Sequence, residues 1–371
     1  MNFSSSVLMN DERAIYSLRE LYKTYGYLQY KVNKFEEYDL YAHNKSFLVS
    51  DKVLTFTDTN GKLMALKPDV TLSIVKNVAP EKGTVNKFYY NENVYRTTTE
   101  SNGFKEIMQT GLECIGSVTA YDECEVVMLA ARSLETISED YILDISHMGL
   151  LEGLLDSAEL PAPVRASIWK LMESKNVSGL AKLCAEAGVK EDLVKKICLL
   201  AEIYLPLDKA LAVIAPMVEG EGMQAAYDEL MEIGKIMALY GVSEKLYLDF
   251  SVVNDQNYYD GIIFKGFLNG IPDSVLSGGR YDKLLDKMGK KANAIGFAVY
   301  LDRLERFGAE EKEYDVDVML IFGEGTEQSA IVAAVKELTD AGNSVCAVRE
   351  IDPSVRCLAI AKLENGEVTL L

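Results

Sequence analysis

An α+β fold is predicted: an antiparallel sheet flanked by helices, with a helical insertion and a short C-terminal α/β unit. Three observations predict it. Two long strand patterns, 87–96 and 106–116, sit on either side of a polar loop, as an antiparallel pair would. Strand signals vanish across 150–243, where runs such as Val194-Lys195-Lys196-Ile197-Cys198-Leu199-Leu200 carry helical periodicity. After a polar stretch at 308–314, a strand, a helix and a second strand follow closely. The strands cluster instead of alternating regularly with helices, which argues against a doubly wound sheet.

The elements follow in order. Residues 12–25 place Ala14, Ile15, Leu18, Leu21 and Tyr22 at helical spacing, and Gly26 stops the helix. A strand is expected over 27–35. Asn60-Gly61 between two apolar runs signals a hairpin. Asp69 opens a helix to about 78. A helix over 121–137 and a strand over 141–146 precede the insertion. Strands resume at 246–250 and 261–267, and 296–307 reads as a helix. The tail gives a strand at 316–322, a helix at 327–341 and a strand at 344–348. The domain reading is 1–307 with the insertion 150–243 inside it, a linker at 308–314, and an α/β unit over 315–371.

Composition excludes several classes. The chain has 371 residues, 49% of them apolar and 26% charged, as in ordinary globular proteins. Its 38 basic residues face 57 acidic ones, a formal charge of −19. Phosphate binding is driven largely by Lys and Arg, so this balance weakens a nucleic-acid role without excluding a local basic groove. The six cysteines form no CxxC pair, and His43 and His147 are the two histidines. Zinc-finger spacing is therefore absent, and free thiols in a reducing cytoplasm are expected. The first residues lack the basic and apolar regions of a secretory signal, and no apolar run is long enough to span a membrane. No cofactor and no metal are expected.

Four segments could carry chemistry. Leu66-Lys67-Pro68-Asp69-Val70-Thr71 places a carboxylate at a helix start, where capping is the plain reading. Gln109 and Glu113 alternate with Gly111 on one strand and share a face. Two polar side chains there need partners, whether a ligand or a buried network. Asn257-Tyr258-Tyr259-Asp260-Gly261 and Ser277-Gly278-Gly279-Arg280-Tyr281-Asp282 combine tyrosines with glycines. These suit stacking and close backbone approach, or simply a core and a tight bend. Finally, Arg303 in Gly296-Phe297-Ala298-Val299-Tyr300-Leu301-Asp302-Arg303-Leu304 could clamp a phosphate or pair with a carboxylate.

In order and spacing, these segments resemble class II histidyl-tRNA synthetases over about 10–307. Tyr95-Arg96 with Gln109-Thr110-Gly111-Leu112-Glu113 resembles motif 2, and 296–304 resembles motif 3. The resemblance implies that Asp69, Thr71 and Gln109 hold the α-ammonium of L-histidine. It gives the two imidazole nitrogens to Glu113 and Tyr259, with Tyr258 and Tyr281 lining the pocket. Arg96 and Arg303 would be relics of a nucleotide side.

The departures are concentrated. Asn254 stands where the family has the arginine that neutralises charge as carboxylate attacks ATP. Thr98 replaces a glutamate that contacts ATP. The motif 2 loop is a residue short, with Gly103 or Phe104 at an expected arginine. Tyr300 replaces a glycine and would crowd a nucleotide. The tail is too short for a complete anticodon-binding domain. The losses fall on ATP and tRNA and spare histidine. This implies the non-catalytic branch, the ATP phosphoribosyltransferase regulatory subunits. Such a chain would bind L-histidine, form a homodimer within a hetero-oligomer, and regulate a short-form ATP phosphoribosyltransferase catalytic subunit. It would use no tRNA and no membrane. The alternatives are a true histidyl-tRNA synthetase and a free-standing amino-acid-adenylating ligase.

Overall fold

The computed structural model describes residues 9–48, 52–97, 103–252, 258–304 and 314–371. Two compact units result, Met1–Phe307 and Gly308–Leu371.

The first unit begins with α1 (Asn10–Thr24), β1 (Leu28–Gln29), β2 (Phe35–Glu37), α2 (Tyr38–His43), β3 (Thr55–Thr57), β4 (Leu63–Leu66) and α3 (Thr71–Asn77). The long pair β5 (Val85–Thr97) and β6 (Phe104–Gly116) follows, then α4 (Ala120–Ile137) and β7 (Tyr141–His147). The insertion contains α5 (Met148–Ser157), α6 (Ala162–Glu173), α7 (Val177–Glu186), α8 (Glu191–Glu202), β8 (Leu205–Pro206), α9 (Leu207–Ile214) and α10 (Gly220–Leu239). The chain returns through β9 (Leu246–Leu248), β10 (Ile262–Leu268), β11 (Leu276–Arg280), α11 (Asp282–Lys287) and β12 (Asn293–Tyr300). The second unit holds β13 (Val316–Phe322), α12 (Gln328–Asp340), β14 (Val345–Val348), β15 (Cys357–Glu364) and β16 (Glu367–Leu370).

Nine strands form the main sheet in the order β1-β5-β6-β12-β11-β10-β7-β9-β8. Its pairs are antiparallel except β1 with β5 and β7 with β9, which run parallel. The α+β reading therefore holds, with a mostly antiparallel sheet. The α1 stripe of Ala14, Leu18 and Tyr22 is buried, and Gly26 ends the helix with φ of +80°. Thr119 and Asp122 cap α4 reciprocally, and the helix is buried along most of its length. Asp58 Oδ1 accepts from the amides of Asn60 and Lys62, both at 2.8 Å, and so fixes the β3–β4 hairpin. The insertion helices share one hydrophobic core with the sheet, including Leu155, Trp169, Leu200 and Leu230.

Three expectations need correction, and the tail gains two strands. Residues 293–300 form a central strand, not the start of a helix, and only a short 3-10 turn follows at Leu301–Arg303. Tertiary pairing overrides the apolar run here: β12 lies in register between β6 and β11. The strand expected over 27–35 shrinks to Leu28–Gln29, paired only at those two residues with β5. Gly278-Gly279 belongs to β11, not to a bend; a Cβ at either would come within 2.5 Å of a neighbouring backbone oxygen. In the tail, β15 and β16 join β13 and β14 in a four-stranded sheet. That sheet and α12 bury their own small core of Val318, Leu320, Ala334, Ala361 and Leu363.

Candidate functional site

The central strands β6, β12, β11 and β10 form the floor of a cavity of about 350 Å³. Small residues make room for it. Gly111, Ala298 and Ser277 lie side by side on one face, and Glu113, Gly296 and Gly279 form the next row. A Cβ at Gly296 would collide with the Glu113 carboxylate, so glycine is what lets that side chain lie flat on the sheet. Every described candidate lines this cavity: Asp69, Thr71, Gln109, Glu113, Tyr258, Tyr259, Tyr281, Arg96 and Arg303. Asn254 and Thr98 lie outside the described residues.

The inner end is buried. Glu113 is 2% exposed and accepts from Thr71 Oγ1 at 2.6 Å and from the Tyr281 hydroxyl. Thr71 is thus tied to Glu113, and Tyr281 is a hydrogen-bonding member of the site, not a wall alone. Burial pushes the Glu113 carboxyl up to about 8, and the charge of Asp69 adds to the shift against the two hydroxyl bonds. Asp69 caps the first turn of α3, accepting from the Leu72 amide at 2.8 Å. Burial raises its pKa too, against the pull of Arg96. Gln109 is 2% exposed, and its Nε2 has no hydrogen-bond partner among the described residues. Tyr258 stacks edge-on against Tyr259 at 4.8 Å and lies 5.7 Å from the Tyr281 ring. Burial raises the Tyr258 and Tyr281 phenols as well, which keeps them as donors.

The outer end is cationic, and its two arginines have partners within the protein, while Asp302 Oδ1 is buried there with no hydrogen-bond partner among the described residues. Arg96 Nε donates to the Pro68 carbonyl at 2.9 Å, and its Nη2 is 4.0 Å from Asp69. Arg303 donates to the Ser274 carbonyl, and its guanidinium lies 4.7 Å above the Tyr300 ring. Lys265, Ser274, Ser277, Asp302 and Tyr90 also line the cavity. The sequence reading passed over these as lining residues. Strand register is the signal that finds two of them: Tyr90 lies opposite Gly111, and Lys265 opposite Ser277.

Chemically, the inner end gathers two carboxyls that burial keeps from ionising freely, Glu113 also through the charge of Asp69, beside an amide donor with no partner among the described residues. Such a site is completed by a ligand bringing positive charge and hydrogen-bonding atoms of both kinds. Among the described residues no group of acids, histidines and cysteines could hold a metal ion, and no helix is long and apolar enough to cross a membrane. The six cysteines are free; Cys198, Cys346 and Cys357 are only half-buried.

Comparison with known proteins bears on family and fold. The profile of the histidyl-tRNA synthetase family matches residues 8–304. An ATP phosphoribosyltransferase regulatory subunit from Caldanaerobacter subterraneus subsp. tengcongensis is 31% identical over 77% of this chain and 75% of its own. Among solved structures, an ATP phosphoribosyltransferase regulatory subunit/histidyl-tRNA synthetase from Bacillus halodurans shares the fold, with a TM-score of 0.76 and 22% identity over 93% of this chain and 91% of that one. The ATP phosphoribosyl transferase (HisG:HisZ) complex from Thermotoga maritima contains a chain with a TM-score of 0.61 and 18% identity, covering 81% of this chain and 98% of that one. The chain belongs to the histidyl-tRNA synthetase family, and within it to the ATP phosphoribosyltransferase regulatory subunits.

Proposed function

We propose that this chain binds L-histidine at the inner end of the cavity and regulates a separate short-form ATP phosphoribosyltransferase catalytic subunit. It acts in the cytoplasm as a homodimer within a hetero-oligomer, activates that subunit, and makes the activity sensitive to histidine. By itself it neither adenylates an amino acid nor charges tRNA. The observation that carries the reading is the buried Glu113 and the half-buried Asp69 beside the Gln109 amide, whose Nε2 has no partner among the described residues. Histidine answers it group by group. Its ammonium suits Asp69, Thr71 and the Gln109 side-chain oxygen, and its carboxylate can accept from the Gln109 Nε2 donor. Its imidazole nitrogens suit Glu113 and Tyr259, one side chain for each ring nitrogen.

The regulatory half rests on the family and on the outer end, where the cations are engaged within the protein instead of being held open for phosphates. A ligand that binds two states of a complex unequally shifts their balance, which is all that histidine feedback requires. The test is to mix this chain with a purified short-form catalytic subunit and follow turnover dependent on ATP and phosphoribosyl pyrophosphate. Co-elution, a gain in turnover and reversal by histidine are expected. Absence of both co-elution and activation would leave a stand-alone amino-acid binder.

A further inference from the structure

Between β4 and α3, just before Asp69, the side chain of Lys67 is completely buried, which is rare for a lysine. Its Nζ is 2.5 Å from Oε2 of Glu92 on β5 and 3.4 Å from the Val32 carbonyl. The other Glu92 oxygen, Oε1, accepts from the Val32 amide at 3.1 Å. Both carboxylate oxygens of Glu92 are therefore engaged. A buried ion pair is a poor source of stability, because desolvation offsets much of its Coulombic gain. Nor is this one needed to hold its own segment. The Lys67 amide donates to the Lys34 carbonyl at 3.1 Å, and the Lys67 carbonyl accepts from the Tyr95 amide at 2.9 Å. The Pro68 carbonyl is held by Arg96, and the Asp69 carboxylate by the Leu72 amide.

The consequence of the pair lies across the sheet. Glu92 stands directly opposite Gln109 in the β5–β6 ladder. It shares the cavity face with Tyr90 and Arg96, which alternate with it along β5 and line the cavity. Directly paired residues of an antiparallel sheet have Cβ atoms about 4.5–5.5 Å apart, within reach of each other for side chains as long as Glu and Gln. The ladder thus sets a carboxylate across from the Gln109 amide. That amide nitrogen nevertheless has no partner among the described residues, because Glu92 turns to Lys67 and to the Val32 amide instead.

We propose that Lys67 is a positioning residue: by pairing with Glu92 it draws that carboxylate away from Gln109 and holds the amide donor open for the ligand's carboxylate. The inference rests on the cavity being a ligand site and deepens that reading by naming what keeps the donor free. Without the Lys67 ammonium, Glu92 is a largely buried carboxylate short of one partner, and such a charge is costly to leave unpaired. The Gln109 amide, directly across the ladder, is the donor that can take the place of the ammonium. A bond between the two occupies the donor and sets a negative charge beside the ligand's carboxylate. Removing Glu92 together with Lys67 removes both the unpaired charge and the competitor.

The test compares the full chain as wild type, as Lys67→Met and as the double variant Lys67→Met/Glu92→Ala, by calorimetric titration with histidine. Lys67→Met should weaken binding about tenfold, the order expected when a charged acceptor competes for the donor. The double variant should return to within about threefold of wild type. An ion pair that merely braces residues 67–69 predicts the opposite, a double variant that binds no better than Lys67→Met. That result, or a Lys67→Met chain that binds as tightly as wild type, overturns the proposal. Should Lys67→Met fail to fold, the double variant leaves no unpaired charge and decides alone: binding within about threefold of wild type supports the proposal, and a larger loss overturns it. The crystal structure of Lys67→Met without ligand gives an independent readout. A Glu92 oxygen should lie about 2.9 Å from Gln109 Nε2. A Glu92 that leaves that amide unpartnered overturns the proposal. If wild type binds no histidine, the histidine reading falls, while this structure still decides the role of Lys67.

Discussion

The two ends of the cavity share a floor and differ in what their side chains do when no ligand is present. At the inner end, Gln109 Nε2 has no partner among the described residues, and the buried Glu113 and half-buried Asp69 are held away from easy ionisation. At the outer end, Arg303 is bound to Ser274 and stacked on Tyr300, and Arg96 is bound to Pro68. An unsatisfied buried group costs about 1–3 kcal/mol, and among the described residues each end has one, Gln109 Nε2 at the inner end and Asp302 Oδ1 at the outer; the difference is that the outer end's arginines already have partners within the protein. Polar lining alone does not mark a binding site.

The largest expected effect would break this contrast outright. If the outer end is closed to nucleotide chemistry, the isolated chain should show histidine-dependent exchange of pyrophosphate into ATP at least on the order of 10²–10³ below a synthetase, the usual loss for one preorganised charge. Asn254 carries that expectation from the sequence, and Tyr300 with Arg303 carries it from the structure. Exchange at synthetase rates would show that the outer end opens readily, and the regulatory reading would fall.

The next effect sharpens the inner end. Glu113→Ala should weaken histidine binding by about 1.5–3 kcal/mol, the range for a hydrogen bond involving a charged group, or roughly ten- to 150-fold in Kd. Calorimetric titration measures it. A mutant that binds as tightly as wild type would move the ligand away from this carboxyl.

Glu113 also gives a pH dependence of defined sign. Its pKa in the folded chain is about 8, against an ordinary 4.5. The unfolded chain therefore loses this proton first, and the folded state loses stability as pH rises from about 4.5 to about 8, with no further loss above. Glu113→Gln does not titrate and can still meet the hydroxyls of Thr71 and Tyr281. Its melting temperature relative to wild type should climb across that window, by the equivalent of about 1–2 kcal/mol after relaxation of the site. A difference that stays flat with pH would mean that the carboxyl ionises normally.

Much of the inner end was legible in the sequence because its signals are local. Asp69 and Thr71 flank a helix start, Gln109 and Glu113 differ by an even number of residues on one strand, and the tyrosines come in short motifs with glycine. The hairpin at Asn60-Gly61 and the insertion were legible for the same reason. What failed was decided by distant neighbours. Residues 293–300 form a strand because β6 and β11 flank them, and an apolar run carries no trace of that. Lys265 reaches the cavity by strand register. The bond between Glu123 and Arg280 spans 157 residues of chain and has no sequence signature at all.

The smallest expected effect is the sharpest test of the comparison, because the prediction is near silence. Arg303→Ala removes a full positive charge from the wall of the cavity that binds the amino acid. A reading based on charge alone would expect a large change in affinity for a zwitterion carrying a carboxylate. The geometry argues otherwise. The guanidinium is directed to the Ser274 carbonyl and capped by the Tyr300 ring, so its field is already partly answered within the protein. Histidine affinity should change by less than about threefold, or roughly 0.6 kcal/mol. A tenfold loss by calorimetry would show that Arg303 leaves Ser274 to meet the ligand carboxylate, and the two ends of the cavity would then act as one site.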